Sequence, residues 1–397
     1  MKKILIVSAV YPPEPVVSAR LSKDIYSMLK AKGWQVNVVH PKPTRPEGYH
    51  FDYLKPLEDD VVVDSYTCAK SSLFGRLKES ISFGIKTYSY IKNHHSQIQI
   101  VYANTWPLFS QYYLVKATKK YHIPCYIHIQ DVYPDSYCHK LSKFLGKLLY
   151  HLLLPIDKYV LKNSTGIIVI SPSMIDYLSI SRNVDKTKFK LVRNWQDDKC
   201  YIESYRPLDK KNVPFNIMYL GSINQTANVQ LIINAVSKLN KDDYYLSIIG
   251  DGSDKEHCYN LSRQKGINVK FEAVTPNHVA EKQSEADVLV LCLVRGVAQT
   301  ATPSKLTAYM LSGRPIIASV DLDSDCANII REAGCGIVVE PDNEEALSYA
   351  IKYLSGMDLD KLSNLGEAAY KYAIQHLSKD RNLRIITDYI CKTEYNG

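Results

Sequence analysis

The feature that most constrains this chain is an alternation of short β-branched runs with longer amphipathic stretches, which is typical of an open parallel sheet covered by helices. The first half contains five such runs, at residues 4–9, 36–40, 100–103, 126–130 and 166–171. After a polar, proline-containing stretch the rhythm restarts, with runs at residues 216–220, 245–250, 269–273, 288–293 and 315–320. The pattern therefore predicts two doubly wound α/β domains with Rossmann-like parallel sheets.

The length of 397 residues agrees with this division, because a single hydrophobic core stops growing at roughly 250 to 300 residues. We predict an amino-terminal domain at residues 1–200, a linker at 201–214 and a second domain at 215–380. Residues 381–397 form a final helix, for which packing on the first domain is one option. Ligands of open α/β sheets bind beyond the carboxyl ends of the strands, so a cleft between the domains is the expected active site.

Charge is distributed unevenly along the chain. Residues 1–200 contain 28 Lys and Arg against 16 Asp and Glu, whereas the remainder contains 21 against 25. The amino-terminal half is therefore expected to face an anionic partner, either nucleic acid or acidic lipid. No glycine-aromatic binding signature or recognition helix accompanies the basic residues, so we predict no nucleic-acid partner and favour lipid.

Two segments combine apolar and basic residues at helical spacing. The segment from Leu141 to Asn163 carries Phe144, Leu145, Leu148, Leu149, Leu152 and Leu153 beside Lys140, Lys143, Lys147 and His151. The segment from Leu73 to Lys92 carries Leu73, Leu77, Ile81 and Ile85 beside Arg76, Lys78, Lys86 and Lys92. Both are predicted to lie on an anionic membrane surface. The alternative is that both are core helices with snorkelling lysines.

The same sequence bounds the expected location of the protein. No run approaches the ~20 uncharged apolar residues of a spanning helix, so the predicted membrane association is peripheral. Met1 to Ala9 reads as a first strand, without the small-residue cleavage site of a signal peptide. Nine scattered cysteines without metal-ligand spacing favour a reducing compartment. We expect a protein on the cytoplasmic face of the inner membrane.

The segment from Gln299 to Val320 is the most informative for chemistry. It reads as a small-residue loop, Pro303 at a first helical position, an amphipathic helix, a stop at Gly313 and a buried strand. The backbone N–H groups of Ser304 and Lys305 at the helix start, with the positive end of the helix dipole behind them, predict an anion site. The alternative is an ordinary capped helix with a surface lysine.

Several motifs of this chain occur in an order that resembles one known family. Pro303-Ser304-Lys305-Leu306, then Tyr309-Met310 and Gly313-Arg314-Pro315-Ile316, resemble the donor-diphosphate segment of family 4 glycosyltransferases, in particular the branch that builds lipid-linked O-antigen and capsule units. The further matching motifs are Tyr11-Pro12-Pro13-Glu14 with Arg20, the residues 130–135, the residues 167–173 and 192–195, Tyr219-Leu220-Gly221-Ser222, and Ile249-Gly250-Asp251-Gly252.

The resemblance implies a GT-B fold with two domains facing across a cleft, and retaining transfer from a UDP-sugar to a lipid-diphosphate-linked saccharide. It implies no cofactor and no metal. The donor-binding residues it implies are Gly221, Ser222, Gly250, Gly252, Thr302, Ser304 and Lys305. The acceptor-binding residues are Glu14, Arg20 and Asn194. Asp131 is the implied catalytic residue, positioning the acceptor or accepting its proton. The alternative is that Asp131 fixes the Tyr133-Pro134 turn.

This chain also departs from the family's pattern. The Glu-x7-Glu pair falls on Thr300 and Ala308, so neither carboxylate is present. The basic pair that often follows the Gly221 turn is replaced by Ser222 and Asn228, which leaves Lys305 as the main charge for the donor phosphates. Two rival functions stay open. One is a GT-B sugar-nucleotide epimerase, which would need no lipid, so the leucine-lysine segment argues against it. The other is a non-catalytic membrane-associated GT-B partner, which the missing carboxylates make plausible.

Two carboxylate groups have structural interpretations. Asp321-Leu322-Asp323-Ser324-Asp325 could hold a metal, but it reads more simply as a solvated loop with a helix cap after the strand, and we predict no metal there. Asp135 is predicted to cap a helix. The sequence thus predicts an enzyme that transfers a hexose or N-acetyl aminosugar from UDP, with GDP as the alternative nucleotide. The identity of the sugar and of the nucleotide base is left open.

Overall fold

The computed structural model describes residues 3–45, 59–68, 73–104, 107–138, 141–298 and 304–392. The chain divides into two compact units, of which the first comprises Met1–Asn194 with Asn382–Gly397 and the second comprises Trp195–Arg381. The division lies before the predicted linker at 201–214, because that stretch is held by the second unit. The Lys211 ammonium donates to the carbonyl oxygens of Ser355 and Met357, and the Tyr205 ring stacks 3.7 Å from that of Tyr370.

The first unit is a seven-stranded sheet with helices on its faces. Its strands are β1 (Lys3–Ser8), β2 (Gln35–Pro41), β3 (Asp60–Val63), β4 (Ile100–Asn104), β5 (Cys125–Ile129), β6 (Gly166–Val169) and β7 (Phe189–Leu191). Its helices before the chain leaves the unit are α1 (Val17–Ala31), α2 (Leu73–His94), α3 (Leu108–Lys120), α4 (Asp135–Cys138), α5 (Lys143–Asn163) and α6 (Pro172–Arg182).

The strand order of the first sheet is β3-β2-β1-β4-β5-β6-β7, and each neighbouring pair is parallel. The central strands are buried on both faces, as their nearly continuous apolar runs require. The order reverses between β1 and β4, which makes the loops after these strands the expected ligand position within this unit.

The second unit contains a six-stranded parallel sheet in the order β10-β9-β8-β11-β12-β13. Its strands are β8 (Phe215–Leu220), β9 (Tyr244–Ile249), β10 (Val269–Glu272), β11 (Val288–Cys292), β12 (Ile316–Ser319) and β13 (Gly336–Val339). Its helices are α7 (Lys199–Ser204), α8 (Val229–Val236), α9 (Lys255–Lys265), α10 (Val279–Ser284), α11 (Ser304–Leu311), α12 (Asp325–Ala333), α13 (Glu344–Ser355) and α14 (Leu359–Tyr372). Here the order reverses between β8 and β11.

The last helix, α15 (Lys379–Cys391), begins in the second unit and runs into the first. Its Tyr389 hydroxyl donates to the carbonyl oxygen of Lys188 at 2.9 Å, and the side chain of Asn382 accepts the backbone N–H of Arg193. The carboxy-terminal residues therefore complete the amino-terminal domain.

The ten sequence runs correspond to ten of these strands, with ends that differ by one or two residues. Strands β3, β7 and β13 were not predicted. Strand β3 is a half-buried edge strand of four residues, and β7 has only three residues. The two sheets confirm the prediction of two doubly wound parallel-sheet domains.

Candidate active site

In the second unit, three glycines bring the backbone after β8 and β9 into close contact. Gly221 and Gly250 follow directly after these strands, with φ angles of 150° and 142°, and the Gly221 N–H donates to the Ile249 carbonyl at 2.8 Å. A Cβ on Gly250 would lie 2.0 Å from the Gly221 carbonyl oxygen, and one on Gly252 would lie 2.1 Å from that of Ile223. Only glycine fits these two positions, since the neighbouring atoms are backbone.

This packing predicts a large loss of stability for Gly250→Ala. The substitution adds left-handed strain to a clash with a carbonyl oxygen, which together lower the free energy of unfolding by roughly 3 kcal/mol. Gly266→Ala is a matched control, because Gly266 also has a positive φ, of 64°, but nothing lies within 4 Å of its added Cβ. Its cost is about 1 kcal/mol. Urea denaturation of both variants measures the difference, and equal losses would contradict the role given to the close approach.

Lys305, in the first turn of α11, extends over the Gly221 turn. A Cβ on Gly221 would meet the Lys305 Cε at 2.3 Å. The Lys305 ammonium donates to the Tyr219 hydroxyl and, at 3.3 Å, to the Ser222 carbonyl oxygen. It also lies 4.6 Å from the centre of the Tyr219 ring, within cation–π range. The missing side chain of Gly221 is thus what allows the lysine to reach the carboxyl end of β8.

Burial lowers the pKa of Lys305 to about 8, because the low-dielectric surroundings penalise its charged form. Burial also raises the pKa of the nearby Cys292 thiol to about 12 and raises that of the Tyr219 hydroxyl. At neutral pH Lys305 is therefore a cation beside uncharged neighbours. A partly desolvated cation of this kind interacts strongly with a diphosphate.

Two tyrosines that support this arrangement were not predicted from the sequence. The Tyr219 hydroxyl donates to the Ser222 carbonyl oxygen at 2.5 Å and accepts from Lys305. The Tyr309 hydroxyl, on α11, donates to the Leu220 carbonyl and accepts the Leu220 N–H, both at 2.9 Å. Both tyrosines belong to the family-like motifs, in which Tyr219 precedes Gly221 and Tyr309 precedes Gly313. A tyrosine shortly before each glycine was therefore the available signal.

The other residues that the sequence analysis placed at the donor site differ in their surroundings. Ser222 is exposed, and its side chain accepts from Asn224 at 3.1 Å. Helix α11 begins at Ser304, whose side chain lies outside the described part, and Thr300, Thr302 and Pro303 are outside the described residues altogether. Ala308 is buried inside α11, so the position of the family's second glutamate does not face solvent here. Gly313 ends the helix with a φ of 66°, as predicted.

The carboxylates directly after β12 lie in a loop. Both oxygens of Asp321 accept the Gly296 N–H, at 3.0 and 2.8 Å. Ser324 caps α12 by accepting the Ala327 N–H, so the predicted helix cap is this serine. Within the described ranges no group of three His, Cys, Asp or Glu side chains could hold a metal ion. The absence of a metal requirement stays a prediction.

In the first unit, Asp131 follows β5 on an exposed loop, where a carboxylate at the carboxyl end of a strand is expected to meet ligand. Asp135 does not serve as a cap, contrary to the prediction. It is the first residue of α4, and its two carboxylate oxygens accept from the Tyr177 hydroxyl and the Arg182 guanidinium instead. This pairing could not be predicted, because Arg182 is 47 positions away.

A hydrogen-bonded polar cluster lies at the switch point between β1 and β4. Asn104 donates to the Ser22 hydroxyl and to the Ser18 carbonyl oxygen, both at 3.0 Å. The Gln130 amide donates to Asn104 Oδ1 and accepts from the Ser18 hydroxyl, each at 3.1 Å. Gln130 precedes Asp131, so the cluster fixes the base of the loop that presents this carboxylate. None of these bonds was predicted.

The predicted acceptor residues differ in their surroundings. The Glu14 carboxylate is buried, accepts the N–H groups of Thr44 and Arg45 at 2.8 and 2.9 Å, and has a pKa raised by burial. It therefore holds the chain after β2, and its contact with an acceptor stays a prediction. Arg20 is half-buried on α1. Asn194 is half-buried, and its Oδ1 has no hydrogen-bond partner among the described residues.

Both candidate membrane helices expose apolar side chains. On α5, Phe144, Leu145, Leu148 and Leu152 are 83%, 48%, 59% and 68% exposed, and Leu149 and Leu153 are half-buried. On α2, Phe74, Leu77 and Ile85 are exposed, Ile81 is half-buried, and the Leu73 side chain is not described. Exposed lysines accompany them at 78, 86, 92, 143 and 147. Helices α2 and α5 both pack against α3.

These exposures argue against a purely core-packed role for α5, because a core helix buries such leucines. Lys140 lies outside the described residues. Across the ranges that the structure describes, no helix combines the length and apolarity needed to cross a membrane.

Comparison with known proteins identifies relatives for each half. Residues 19–199 match the family described as Glycosyltransferase Family 4, and residues 214–356 match Glycosyl transferases group 1. The "Putative colanic acid biosynthesis glycosyl transferase WcaI" of Escherichia coli (strain K12) is 21% identical over 406 residues, covering 96% of this chain and 98% of that protein.

Solved structures share the architecture of the whole chain. Anabaena Alr3699/HepE in complex with UDP-glucose aligns over 100% of both chains with a TM-score of 0.65 and 15% identity. WaaG, a glycosyltransferase involved in lipopolysaccharide biosynthesis, aligns over 98% of this chain and 100% of its own, with a TM-score of 0.68 and 16% identity. At these identities the two likenesses concern the fold.

Proposed function

Since this chain is a glycosyltransferase of GT-B fold, with a family 4 domain in its first half and a group 1 domain in its second, we propose that it transfers a sugar from UDP to a lipid-diphosphate-linked saccharide. The product is a precursor of a cell-envelope polysaccharide, such as O-antigen or capsule. The sugar is a hexose or an N-acetyl aminosugar. WcaI, whose name places it in colanic acid synthesis, and the UDP-glucose complex of HepE support this choice.

The observation that carries the donor half of the proposal is Lys305 over the Gly221 turn. The ammonium lies at the carboxyl end of β8, beside the switch point where nucleotides bind in open α/β sheets. The helix start behind it contributes backbone N–H groups and a positive dipole end. Together these groups stabilise the additional negative charge that develops on the leaving UDP.

The proposed reaction retains the anomeric configuration. The bond between the anomeric carbon and the β-phosphate oxygen of UDP breaks, and a bond forms to the acceptor hydroxyl oxygen on the same face of the sugar. The acceptor's proton passes to the leaving phosphate oxygen, which is the base closest to the incoming hydroxyl in a front-face attack. Asp131 orients that hydroxyl by accepting a hydrogen bond from it.

The pH dependence of donor use follows from Lys305. The charged ammonium binds the diphosphate, so kcat/KM for the donor is highest below pH 8 and falls about tenfold per pH unit above it, as the free enzyme loses this proton. Bound diphosphate raises the lysine pKa, so kcat falls only at higher pH. Initial rates between pH 6.5 and 9.5 measure both profiles. A Lys305→Met variant is expected to lose the alkaline decline, and its persistence there would assign it to another group.

The lipid half of the proposal rests on α5 and α2. Exposed leucines and a phenylalanine beside exposed lysines suit the surface of an anionic bilayer, because apolar burial and attraction to acidic headgroups act together. An acceptor on a polyprenyl diphosphate would then meet the enzyme at that surface, on the cytoplasmic side of the inner membrane. This matches the excess of basic residues in the first 200 positions.

Replacement of two exposed apolar residues of α5 by acidic ones tests this surface. The double variant Phe144→Glu, Leu148→Glu is expected to bind vesicles containing phosphatidylglycerol at least tenfold more weakly, since it removes apolar area and adds repulsion. Activity on a detergent-dispersed acceptor should be kept. Ile180→Glu, on α6, is a matched control, because Ile180 is 79% exposed but lies outside both segments. Sedimentation with vesicles reports binding, and equal loss in the control would contradict a specific membrane face.

The function as a whole is tested by incubating the protein with membrane lipid acceptors and a panel of radiolabelled nucleotide sugars. Label that enters the lipid phase supports the proposal. Release of UDP without an acceptor, with the label in a free epimerised sugar, or label on an epimerised sugar nucleotide supports the epimerase alternative. No turnover with any donor supports a non-catalytic partner.

A further inference from the structure

Arg182, the last residue of α6, has no exposed surface and is surrounded by polar partners. Its Nε donates to the Asp157 carboxylate at 2.7 Å, and its Nη2 donates to the Asp135 carboxylate. The same Nη2 donates to the Tyr133 carbonyl oxygen at 3.1 Å, and Nη1 donates to the Tyr150 hydroxyl at 3.3 Å. One guanidinium thus binds two carboxylates and a loop carbonyl in the interior of the first unit.

Burying this cluster carries a large desolvation penalty in free energy. Two carboxylates share one cation, and both are nearly inaccessible to water, with side-chain exposures of 10% for Asp135 and 6% for Asp157. Apolar residues of similar volume are often as stabilising as buried ion pairs, so stability alone is a weak explanation for such a group. The planar guanidinium of an arginine instead provides directional hydrogen bonds, because its N–H donors point at fixed angles.

The partners of Arg182 come from three elements that meet around the loop after β5. Tyr133 and Asp135 belong to that loop and the start of α4, two and four residues after Asp131. Asp157 and Tyr150 lie on α5, the helix with the exposed apolar residues. A second contact joins the same elements, since a Cβ on Gly146 of α5 would lie 2.5 Å from the Cys138 carbonyl oxygen at the end of α4.

We propose that Arg182 is a positioning residue, which fixes the Asp131 loop against α5 and thereby sets the carboxylate for the acceptor. It does not touch the reacting atoms. The inference rests on the proposed function for its acceptor, a lipid-linked saccharide. It adds that the Arg182 guanidinium links the helix seated on the lipid to the loop that orients the acceptor hydroxyl.

Arg182→Lys tests the proposal, because it keeps the charge and loses the fork. We expect kcat/KM for the acceptor to fall 10- to 100-fold while KM for the donor stays within twofold. Asp287→Asn is the matched control, since Asp287 is a fully buried carboxylate of the second unit that accepts the Asn216 N–H at 2.7 Å. It should lower the melting temperature without changing the acceptor KM. Tyr150→Phe removes one hydrogen bond to the guanidinium and replaces Arg182→Lys if that variant does not fold.

Hydrogen exchange followed by mass spectrometry gives a second readout that needs no activity. Loss of protection confined to a peptide covering residues 131–138 in Arg182→Lys supports the proposal. Unchanged protection there overturns it, as does a parallel fall in donor and acceptor kcat/KM with general destabilisation like that of Asp287→Asn. If the wild-type protein labels no lipid, the proposed acceptor fails, and the exchange pattern still decides whether Arg182 fixes the loop.

Discussion

Lys305→Met is expected to lower kcat roughly 10²- to 10³-fold, the loss found when one preorganised group that stabilises developing negative charge is removed. Methionine keeps the unbranched shape that passes over Gly221, so the effect reports the charge and the N–H donors. Steady-state rates with saturating donor and acceptor measure it. Lys282→Met is a suitable control, because that lysine pairs with Glu272 and Glu285 on the surface of the same unit.

The same variant is expected to be at least as stable as the wild type. The pKa of Lys305 falls from 10.5 to about 8 on folding. Below pH 8 the ammonium is charged in both states, but only in the folded state is that charge desolvated. The contribution of Lys305 to the free energy of unfolding is therefore least favourable below pH 8 and becomes more favourable as the pH increases from 8 to 10.5. With partial exposure and the Tyr219 contacts considered, methionine should add about 1 to 3 kcal/mol at pH 7. A clear loss of stability at pH 7 would contradict this account.

Asp131→Asn is expected to lower kcat/KM for the acceptor about 10²-fold, the loss that follows when a reacting group is misplaced. Asparagine preserves the size and removes the charge, so donor KM and the melting temperature should change little on an exposed loop. Asp176→Asn is the control, because Asp176 is a surface residue paired with Lys186 in the same unit.

Two outcomes would separate the roles open to Asp131. A loss confined to the acceptor parameters supports orientation of the hydroxyl. A loss of stability without any change in kcat/KM would instead assign the carboxylate to the Tyr133-Pro134 turn, which is the structural interpretation that the sequence left open.

The sheets could be predicted from sequence because their strands are buried on both faces and read as apolar runs. Strands such as β3 could not, since Asp60–Val63 is a half-buried edge segment whose pairing with β2 depends on distant residues. The domain boundary also shifted, because polar residues such as Lys211 and Asn212 look like linker. Their partners in the second unit lie about 75 to 146 positions away.

The residues of the candidate site also fall into those that could be predicted from the sequence and those that could not. Lys305 and the glycines of 221 and 250 could be predicted, since tight turns and helix starts are encoded locally. The groups that hold them could not. Tyr219 orients Lys305 across 86 positions, and Arg182 reaches Asp135 across 47. A buried arginine looks like any surface arginine in a sequence, until the fold shows that it has no exposure.

The route of the chain through its two units has a practical consequence. A fragment that stops at residue 194 would retain all seven strands of the first sheet but lack the helix segment after Arg381. It would leave the Lys188 carbonyl without Tyr389 and the Arg193 amide without Asn382. A study of the first unit by itself should therefore supply residues 382–392 as a fused or separately added peptide.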